Sequence, residues 1–217
     1  MTADPTVLVV AKAPVPGRVK TRLAATVGDA AAARVAAASL LDTLDACTGA
    51  VGPDRCRLAL AGDLDDAVEA AALRSALAGW SVAPQRGSGL GARIAAAFEE
   101  SGAPTIQIGM DTPQVTPALL HQAAARLADH DAVLGAAEDG GWWLLGLTDP
   151  AAAAAVAGVP MSTEETGRLT HRALTEAGLQ VGTAPVLRDI DEVADLAAVA
   201  ALVGGSRTAR AAEAVLR

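Results

Sequence analysis

The residues from 11 to 23, Ala11-Lys12-Ala13-Pro14-Val15-Pro16-Gly17-Arg18-Val19-Lys20-Thr21-Arg22-Leu23, bring together four cations, a hydroxyl and a glycine. Both lysines of the chain, Lys12 and Lys20, fall here. Cations that hydrogen-bond an anion, beside a glycine that lets backbone approach it, suit a phosphorylated ligand. The plainer reading is a solvated loop with scattered charge. A second segment, Gly109-Met110-Asp111-Thr112-Pro113, sets one carboxylate just past an apolar run. Such a carboxylate can hold a divalent cation, since Mg²⁺ takes one or two protein carboxylates and completes its shell with phosphate oxygens and water. An Asx turn would explain the same residues.

Three more segments carry usable groups. In Glu138-Asp139-Gly140-Gly141-Trp142-Trp143 the acids can reach a sugar hydroxyl or a metal, and the glycines allow close backbone approach. Successive strand residues point to opposite faces, so one tryptophan is expected in the cleft and the other in the core. A tight turn with two core tryptophans is the alternative. In Arg188-Asp189-Ile190-Asp191 the two acids share a face if the chain is extended, and they repel unless a cation joins them. Asp191 also suits the cap of the helix that follows. Gln85 to Arg93 is glycine-rich and opens a helix, so its N–H groups can meet an anion or a sugar. Its Gly-x-Gly-x-Gly follows the third strand rather than the first, which excludes a Rossmann cofactor loop. His121, His130 and His171 share no metal spacing and are expected at the surface or at helix caps, and no Ser or Cys has the context of a nucleophile.

Each segment needs an element to aim it. Residues 6–10 form a β-branched run without polar alternation, the pattern of a strand buried on both faces. Helices are expected at 29–47, 64–77, 90–101, 116–128 (capped by Thr116), 163–177 (capped by Ser162 and Thr163), 193–203 and 208–216. Strands are expected at 57–61, 80–83, 105–108, 132–135 and 142–147, with 179–185 extended and 188–191 a short strand or turn. The alternation is that of a doubly wound α/β sheet. The short link between 132–135 and 142–147 forbids a parallel crossover, so one of those strands is antiparallel.

The chain of 217 residues suits one α/β domain, and 52% hydrophobic residues suffice for a core. Mean hydropathy is +0.33, yet no apolar run reaches the roughly 20 residues of a membrane span. Two cysteines make no disulfide framework and no metal pair, and no signal peptide is read, so a soluble cytoplasmic protein is expected. A net charge of −8 without a basic stripe argues against nucleic acid. It fits a small anionic ligand that arrives with a divalent cation.

Five ordered motifs carry a resemblance over nearly the whole chain. They are Lys12-x-Pro14-x-Pro16-Gly17-x-x-Lys20-Thr21-Arg22-Leu23, Gly89-Leu90-Gly91-x-Arg93, Gly109-x-Asp111-x-Pro113, Asp139-Gly140-Gly141-x-Trp143-x-x-Gly146 and Asp189-x-Asp191. Together they resemble a bacterial glycosyltransferase-A-like family of uncharacterised and arsenosugar-type glycosyltransferases, similar to the phospholactate and molybdenum-cofactor guanylyltransferases. Two departures stand out: Ala136-Ala137 where that family has Pro-Ala, and Met161-Ser162-Thr163 where it has Trp-Ser/Thr-Thr.

The resemblance implies a GT-A (nucleotide-diphospho-sugar transferase) fold over residues 1–217: a mixed, mostly parallel sheet with helices on both faces. It implies Mg²⁺ or Mn²⁺ at Asp111, with Asp191 as second ligand or acceptor-side carboxylate. Arg18, Lys20 and Arg22 would neutralise a di- or triphosphate, with Lys12, Pro16, Gly17, Thr21, Gly89 and Arg93 completing the nucleotide side. Asp139, Gly140, Gly141, Trp143, Ser162 and Thr163 would face the acceptor, and Lys20, Arg22, Asp111 and Asp139 would do the chemistry. The expected activity is glycosyl transfer from a nucleotide-diphospho-sugar to a small acceptor. The alternative is nucleotidyl transfer from an NTP to a phosphorylated small molecule, with release of pyrophosphate. Lys-Thr-Arg-Leu favours the second; the lack of a Gly-x-Gly-x-x-Arg pyrophosphorylase loop favours the first. A non-catalytic nucleotide binder is a third possibility, disfavoured by three placed carboxylates, Asp111, Asp139 and Asp191. The expected partners are the donor and a small acceptor, without nucleic acid or membrane, and compatible with a homodimer.

Overall fold

The structure, a computed structural model, describes residues 5–102 and 104–216. Among these residues, seven strands form one sheet: β1 (Thr6–Lys12), β2 (Cys56–Ala61), β3 (Ser81–Pro84), β4 (Thr105–Ile108), β5 (Ala132–Ala137), β6 (Trp142–Leu147) and β7 (Val181–Leu187). Their order is β3-β2-β1-β4-β6-β5-β7. β6 runs antiparallel to β4 and β5, and the remaining pairings are parallel. This is the doubly wound, mostly parallel sheet expected from the sequence, with the antiparallel strand where the four-residue link requires it. β1 carries no polar alternation because both its faces are covered: Val7 and Val9 are 0% exposed and Leu8 1%.

Among the described residues, eight helices flank the sheet: α1 (Thr21–Val27), α2 (Asp29–Val51), α3 (Ala70–Ala76), α4 (Leu90–Glu99), α5 (Pro117–Arg126), α6 (Thr166–Glu176), α7 (Val193–Leu202) and α8 (Arg207–Val215). One face of the sheet packs on α2, α3 and α5 through Leu40, Leu44, Leu73 and Leu120. The other packs on α4, α6 and a 3₁₀ segment, Pro150–Val156, through Ile94, Phe98, Leu174 and Val156. A third cluster joins α1, α2, α7 and α8 through Leu23, Val35, Leu196 and Ala212. Each fully buried Leu or Ile stabilises the fold by roughly 1.5–3 kcal/mol. Alanine lets α2 lie close: Ala33, Ala36 and Ala37 are fully buried and lose no rotamer entropy. No helix among the described residues is long and apolar enough to cross a membrane. Cys47 and Cys56 are free and buried, and burial raises both thiols, Cys56 to about 12.

Several expected elements differ. The helix expected at 64–77 is two pieces, a 3₁₀ turn at Leu64–Asp66 and then α3. The Asp63 carboxylate caps Asp65 N–H, and Val68 N–H donates to Pro14 C=O, so the backbone is diverted to brace the loop after β1. The helix expected from 163 begins at Thr166 without a side-chain cap. The Thr166 hydroxyl instead accepts from Thr163 N–H and donates to Pro160 C=O, which folds residues 160–166 into a strap. Asp191 does not cap α7. Glu192 does, in a reciprocal capping box with Asp195. Residues 188–191 form no strand, the 3₁₀ segment 150–156 was not anticipated, and Thr116 caps α5 as expected.

Candidate functional site

The chain winds outward from β1 to β3 and returns with β4 on the other side of β1, so the ends of β1 and β4 flank a topological switch point. Ligands of open α/β sheets bind at such a point. β6 is antiparallel, so its start, not its end, lies at the same edge, and the 138–141 hairpin joins the loops after β1, β3, β4 and β7 there. All five motifs meet at one cavity of about 990 Å³.

The loop after β1 forms one wall. Lys20 stands in the left-handed region, φ 49° and ψ 46°, and turns the chain into α1. A non-glycine residue there costs of order 1–3 kcal/mol and persists when its surroundings enforce it. Here the surroundings are polar: the Lys20 ammonium donates to Ile190 C=O and lies 2.7 Å from Asp111 Oδ1, with its side chain 5% exposed. Arg22 reaches Asp191 Oδ2 at 2.5 Å, but on the surface. Lys12 and Arg18 line the cavity with no ionic partner among the described residues.

Asp111 is fixed from several sides. The Ser39 hydroxyl on α2 donates to Met110 C=O at 2.6 Å, Lys12 N–H donates to Met110 Sδ, and Ile190 N–H donates to Asp111 C=O at 2.9 Å. Asp189, just before Ile190, has its carboxyl raised to about 6, first by burial, then by Asp139, with Asp111 adding and Lys20 opposing. Four groups from four segments therefore sense one another. Arg188 and Glu138 form an ion pair that ties the segment after β7 to the hairpin.

The hairpin and the strap form the opposite wall. Asp139 Oδ1 accepts Gly141 N–H at 2.7 Å. Gly140, at φ +86°, lies against the strap: a Cβ there would clash with Glu164 O. Gly167 N–H donates to Gly140 C=O at 2.8 Å, and a Cβ on Gly167 would sit 2.6 Å from Gly141 O. The glycines thus serve strap-to-hairpin packing. The tryptophans divide between the two faces of the sheet. Trp143 is 3% exposed in the first core and donates to Pro185 C=O, whereas Trp142 is half-buried against the second core and donates to Thr170 Oγ1.

Most of the predicted residues line the cavity: Lys12, Arg18, Lys20, Thr21 and Arg22 from the loop, with Arg93, Asp111 and Asp191. From the acceptor set Asp139, Gly141, Trp143, Ser162 and Thr163 do so as well. Pro16, Gly17, Gly89 and Gly140 do not line it. Pro16 and Gly17 are exposed and shape the turn, with Gly17 at φ +75°. Gly89 is the N-cap residue of α4, and Gly140 is pressed on Glu164. Sequence reasoning missed Gln107 and Glu164 as wall residues, and it expected one tryptophan in the cleft where both Trp142 and Trp143 line it. The one local signal for Gln107 is its being a polar residue inside a buried strand. His121 and His130 bond backbone carbonyls outside the cavity, in the peripheral roles expected.

The donor set bears on the implied metal. Asp111 and Asp189 offer oxygen only, which suits a hard divalent cation. No group of three or more His, Cys, Asp or Glu among the described residues could hold a metal. An ion that takes one or two carboxylates and shares the ligand's phosphates needs no larger set. Asp191, expected as second ligand, is engaged by Arg22, whereas Asp189 has no ionic partner among the described residues.

Known structures share this architecture. A protein from Desulfovibrio desulfuricans G20, provisionally described as a nucleotide-diphospho-sugar transferase, is similar over 99% of this chain and 95% of its own, at 25% identity and a TM-score of 0.84. A cytidylyltransferase from Leptospira borgpetersenii serovar Hardjo-bovis matches over 98% and 94%, at 12% identity and a TM-score of 0.60. Rv0371c from Mycobacterium tuberculosis H37Rv, in complex with manganese, matches over 91% and 98%, at 19% identity and a TM-score of 0.54. At those identities the last two show the fold alone. No curated protein matches the chain. The model of one bacterial family matches residues 43–163, more than half the chain, and the protein therefore belongs to the family described as "Uncharacterized protein conserved in bacteria (DUF2064)".

Proposed function

We propose that the protein is a nucleotide-dependent transferase that moves a glycosyl group from a nucleotide-diphospho-sugar to a small acceptor. One observation carries the reading: three cations without ionic partners among the described residues, Lys12, Arg18 and Arg93, converge on the cavity that also holds Asp111. An anionic donor would complete them, and the similarity to the Desulfovibrio transferase makes a diphospho-sugar the favoured one. Arg18 and Arg22 would grip phosphate oxygens through charge-assisted hydrogen bonds, and Lys20 would add its charge at a fixed point. Their cost of organisation is met in folding, so the leaving diphosphate would meet donors already in place. Mg²⁺ or Mn²⁺, held by Asp111 with Asp189, would supply further charge neutralisation to the same phosphate oxygens. In the transfer, the acceptor hydroxyl oxygen bonds to the anomeric carbon as the bond from that carbon to the diphosphate oxygen breaks. Asp139, on the wall opposite the loop, is the carboxylate proposed to take the hydroxyl proton.

Nucleotidyl transfer is the second reading, favoured by the Lys20-Thr21-Arg22-Leu23 element after β1; the three cations would serve a triphosphate as well as a diphospho-sugar. Incubation with a panel of nucleotide-sugars and Mn²⁺, and separately with NTPs and Mg²⁺, tests both. Release of nucleoside diphosphate from a sugar donor supports glycosyl transfer, and release of pyrophosphate from an NTP supports nucleotidyl transfer. If neither donor binds or turns over, both readings fall.

A further inference from the structure

Asp111 and Asp189 stand on backbone that is pinned on both sides. A peptide unit is planar, so a hydrogen bond to its C=O also fixes the N–H of the next residue. Met110 and Arg188 lie beyond the paired residues of β4 and β7. The Ser39 hydroxyl on α2 donates to Met110 C=O at 2.6 Å, which fixes the peptide before Asp111. The Gln114 side-chain amide donates to Arg188 C=O, which fixes the peptide before Asp189. One backbone bond, Ile190 N–H to Asp111 C=O at 2.9 Å, fixes the peptide after each of the two acids. With both flanking planes held, the Cα–Cβ directions of Asp111 and Asp189 are set relative to each other. Lys20 closes the arrangement by donating to Ile190 C=O and pairing with Asp111.

Packing alone does not explain either outer pin. Ser39 is fully buried beside Ala36, Ala37 and Leu40, and alanine would fill that place with no polar group to satisfy. A serine inside a helix commonly turns its hydroxyl back to a carbonyl of the preceding turn. This one reaches a carbonyl 71 positions along the chain. Gln114 carries a visible cost: its Oε1 is buried without a hydrogen-bond partner. A methionine of similar length would leave no orphaned acceptor. What the amide gives in return is its bond to Arg188 C=O. Both bonds end on the peptide just before an acid, which a purely structural placement would not require. Thr43 shows the contrast. It is as buried as Ser39 on the same helix, yet its hydroxyl donates within the helix, to Ser39 C=O.

We infer that Gln114 and Ser39 are positioning residues, which hold the Asp189 and Asp111 carboxylates at the mutual spacing at which both meet one divalent ion. The inference rests on the reading of those two acids as the metal-holding pair; it does not depend on which group is transferred. Both side chains act through the acids. Mg²⁺ asks for near-octahedral oxygens at about 2.0–2.1 Å, so a small rotation at either Cα lowers affinity. Partners that orient the ligands of a metal influence its affinity in this way without touching it.

The test titrates Mn²⁺ alone into the full chain and follows the electron paramagnetic resonance signal of the free ion. Wild type is expected to bind saturably, and Asp111→Asn and Asp189→Asn to lose most of that binding. Gln114→Met and Ser39→Ala are each expected to weaken it about tenfold. Urea unfolding separates this from a loss of fold. The midpoint of Gln114→Met should stay near wild type, because removing the orphaned acceptor offsets the lost bond. Thr43→Val, which removes a buried hydroxyl bond from the same helix, should keep wild-type Mn²⁺ affinity. Full affinity in either Gln114→Met or Ser39→Ala, equal weakening in Thr43→Val, or no Mn²⁺ bound by wild type would overturn the assignment. A nucleotide-sugar and NTP turnover assay on the same samples reads the transferase proposal separately. Donor turnover by wild type with unchanged Mn²⁺ affinity in the variants sinks this inference alone. Weakened Mn²⁺ binding in the variants with no donor bound or turned over sinks the transferase reading alone.

Discussion

The two walls of the cavity are built in different ways. The cationic wall comes mainly from one short stretch, Lys12 to Arg22, stiffened by Pro14, Pro16 and the left-handed Lys20. The acidic wall is assembled from residues far apart in the chain, Asp139 and Glu164, held by glycine contacts between hairpin and strap and by the Arg188–Glu138 ion pair, which docks the segment after β7. A local wall keeps its geometry through backbone restriction. A composite wall keeps its geometry only while three segments stay docked. The first should therefore fail by loss of charge and the second by loss of packing.

The largest effect is expected at the point where the walls join. Lys20→Met removes the buried ammonium that bridges Asp111 and Ile190 C=O. Donor turnover should fall about 100-fold or more. Urea unfolding should report a loss of about 1–3 kcal/mol from the orphaned carbonyl and the unpaired Asp111. Turnover within a few-fold of wild type would remove Lys20 from the chemistry.

Next comes Gly140→Ala, which forces a Cβ onto Glu164 O at positive φ. It should cost about 2 kcal/mol and undock the strap, while nucleotide affinity, a property of the other wall, stays near wild type. Equal loss of both would mean that the walls are one cooperative unit.

A smaller effect follows from Asp189. Its carboxyl is raised from 3.8 to about 6, so the folded state holds the proton more tightly than the unfolded chain does. The cost of ionising it is absent below about pH 4, grows between 4 and 6, and is complete above 6. Without divalent cation, wild-type stability should therefore decline across that window relative to Asp189→Asn. The relative decline should be about 1–2 kcal/mol, allowing for partial solvent screening. Parallel stability curves from pH 4 to 7 would disprove the coupling.

The smallest effect is at the exposed pair. Arg22→Ala breaks the contact with Asp191 on the surface and should cost less than about 1 kcal/mol in thermal melts, less still in high salt. Its effect on donor affinity should be larger than its effect on stability. The reverse would recast Arg22 as a structural tie.

What could be read in advance follows the same division. The loop after β1 was legible because its cations, prolines and glycine are consecutive, and Asp111 because it ends an apolar strand. The antiparallel β6 was legible because four residues cannot make a parallel crossover. The break at residue 67 was not legible, because it depends on Val68 N–H reaching Pro14, which lies far back in the chain. The cap given to Asp191 was misplaced because Glu192 and Asp195 cap each other, which frees Asp191 for Arg22. Gly140 looked like a ligand contact because a glycine's local sequence does not show which backbone will press against it.

The sequence by itself determined the strand and helix alternation, the buried sheet and the chemical character of each motif, since these depend on side-chain type and short-range periodicity. Only the tertiary structure decided which charges cancel and which remain. Lys20–Asp111 and Arg22–Asp191 are pairs between segments some 90 to 170 residues apart, made neighbours by strand order. The cavity charges left over, Lys12, Arg18 and Arg93 with Asp139, Glu164 and Asp189, follow from those pairings. Charge carries no sign of its eventual partner along the chain, because Coulomb interaction depends on distance in space.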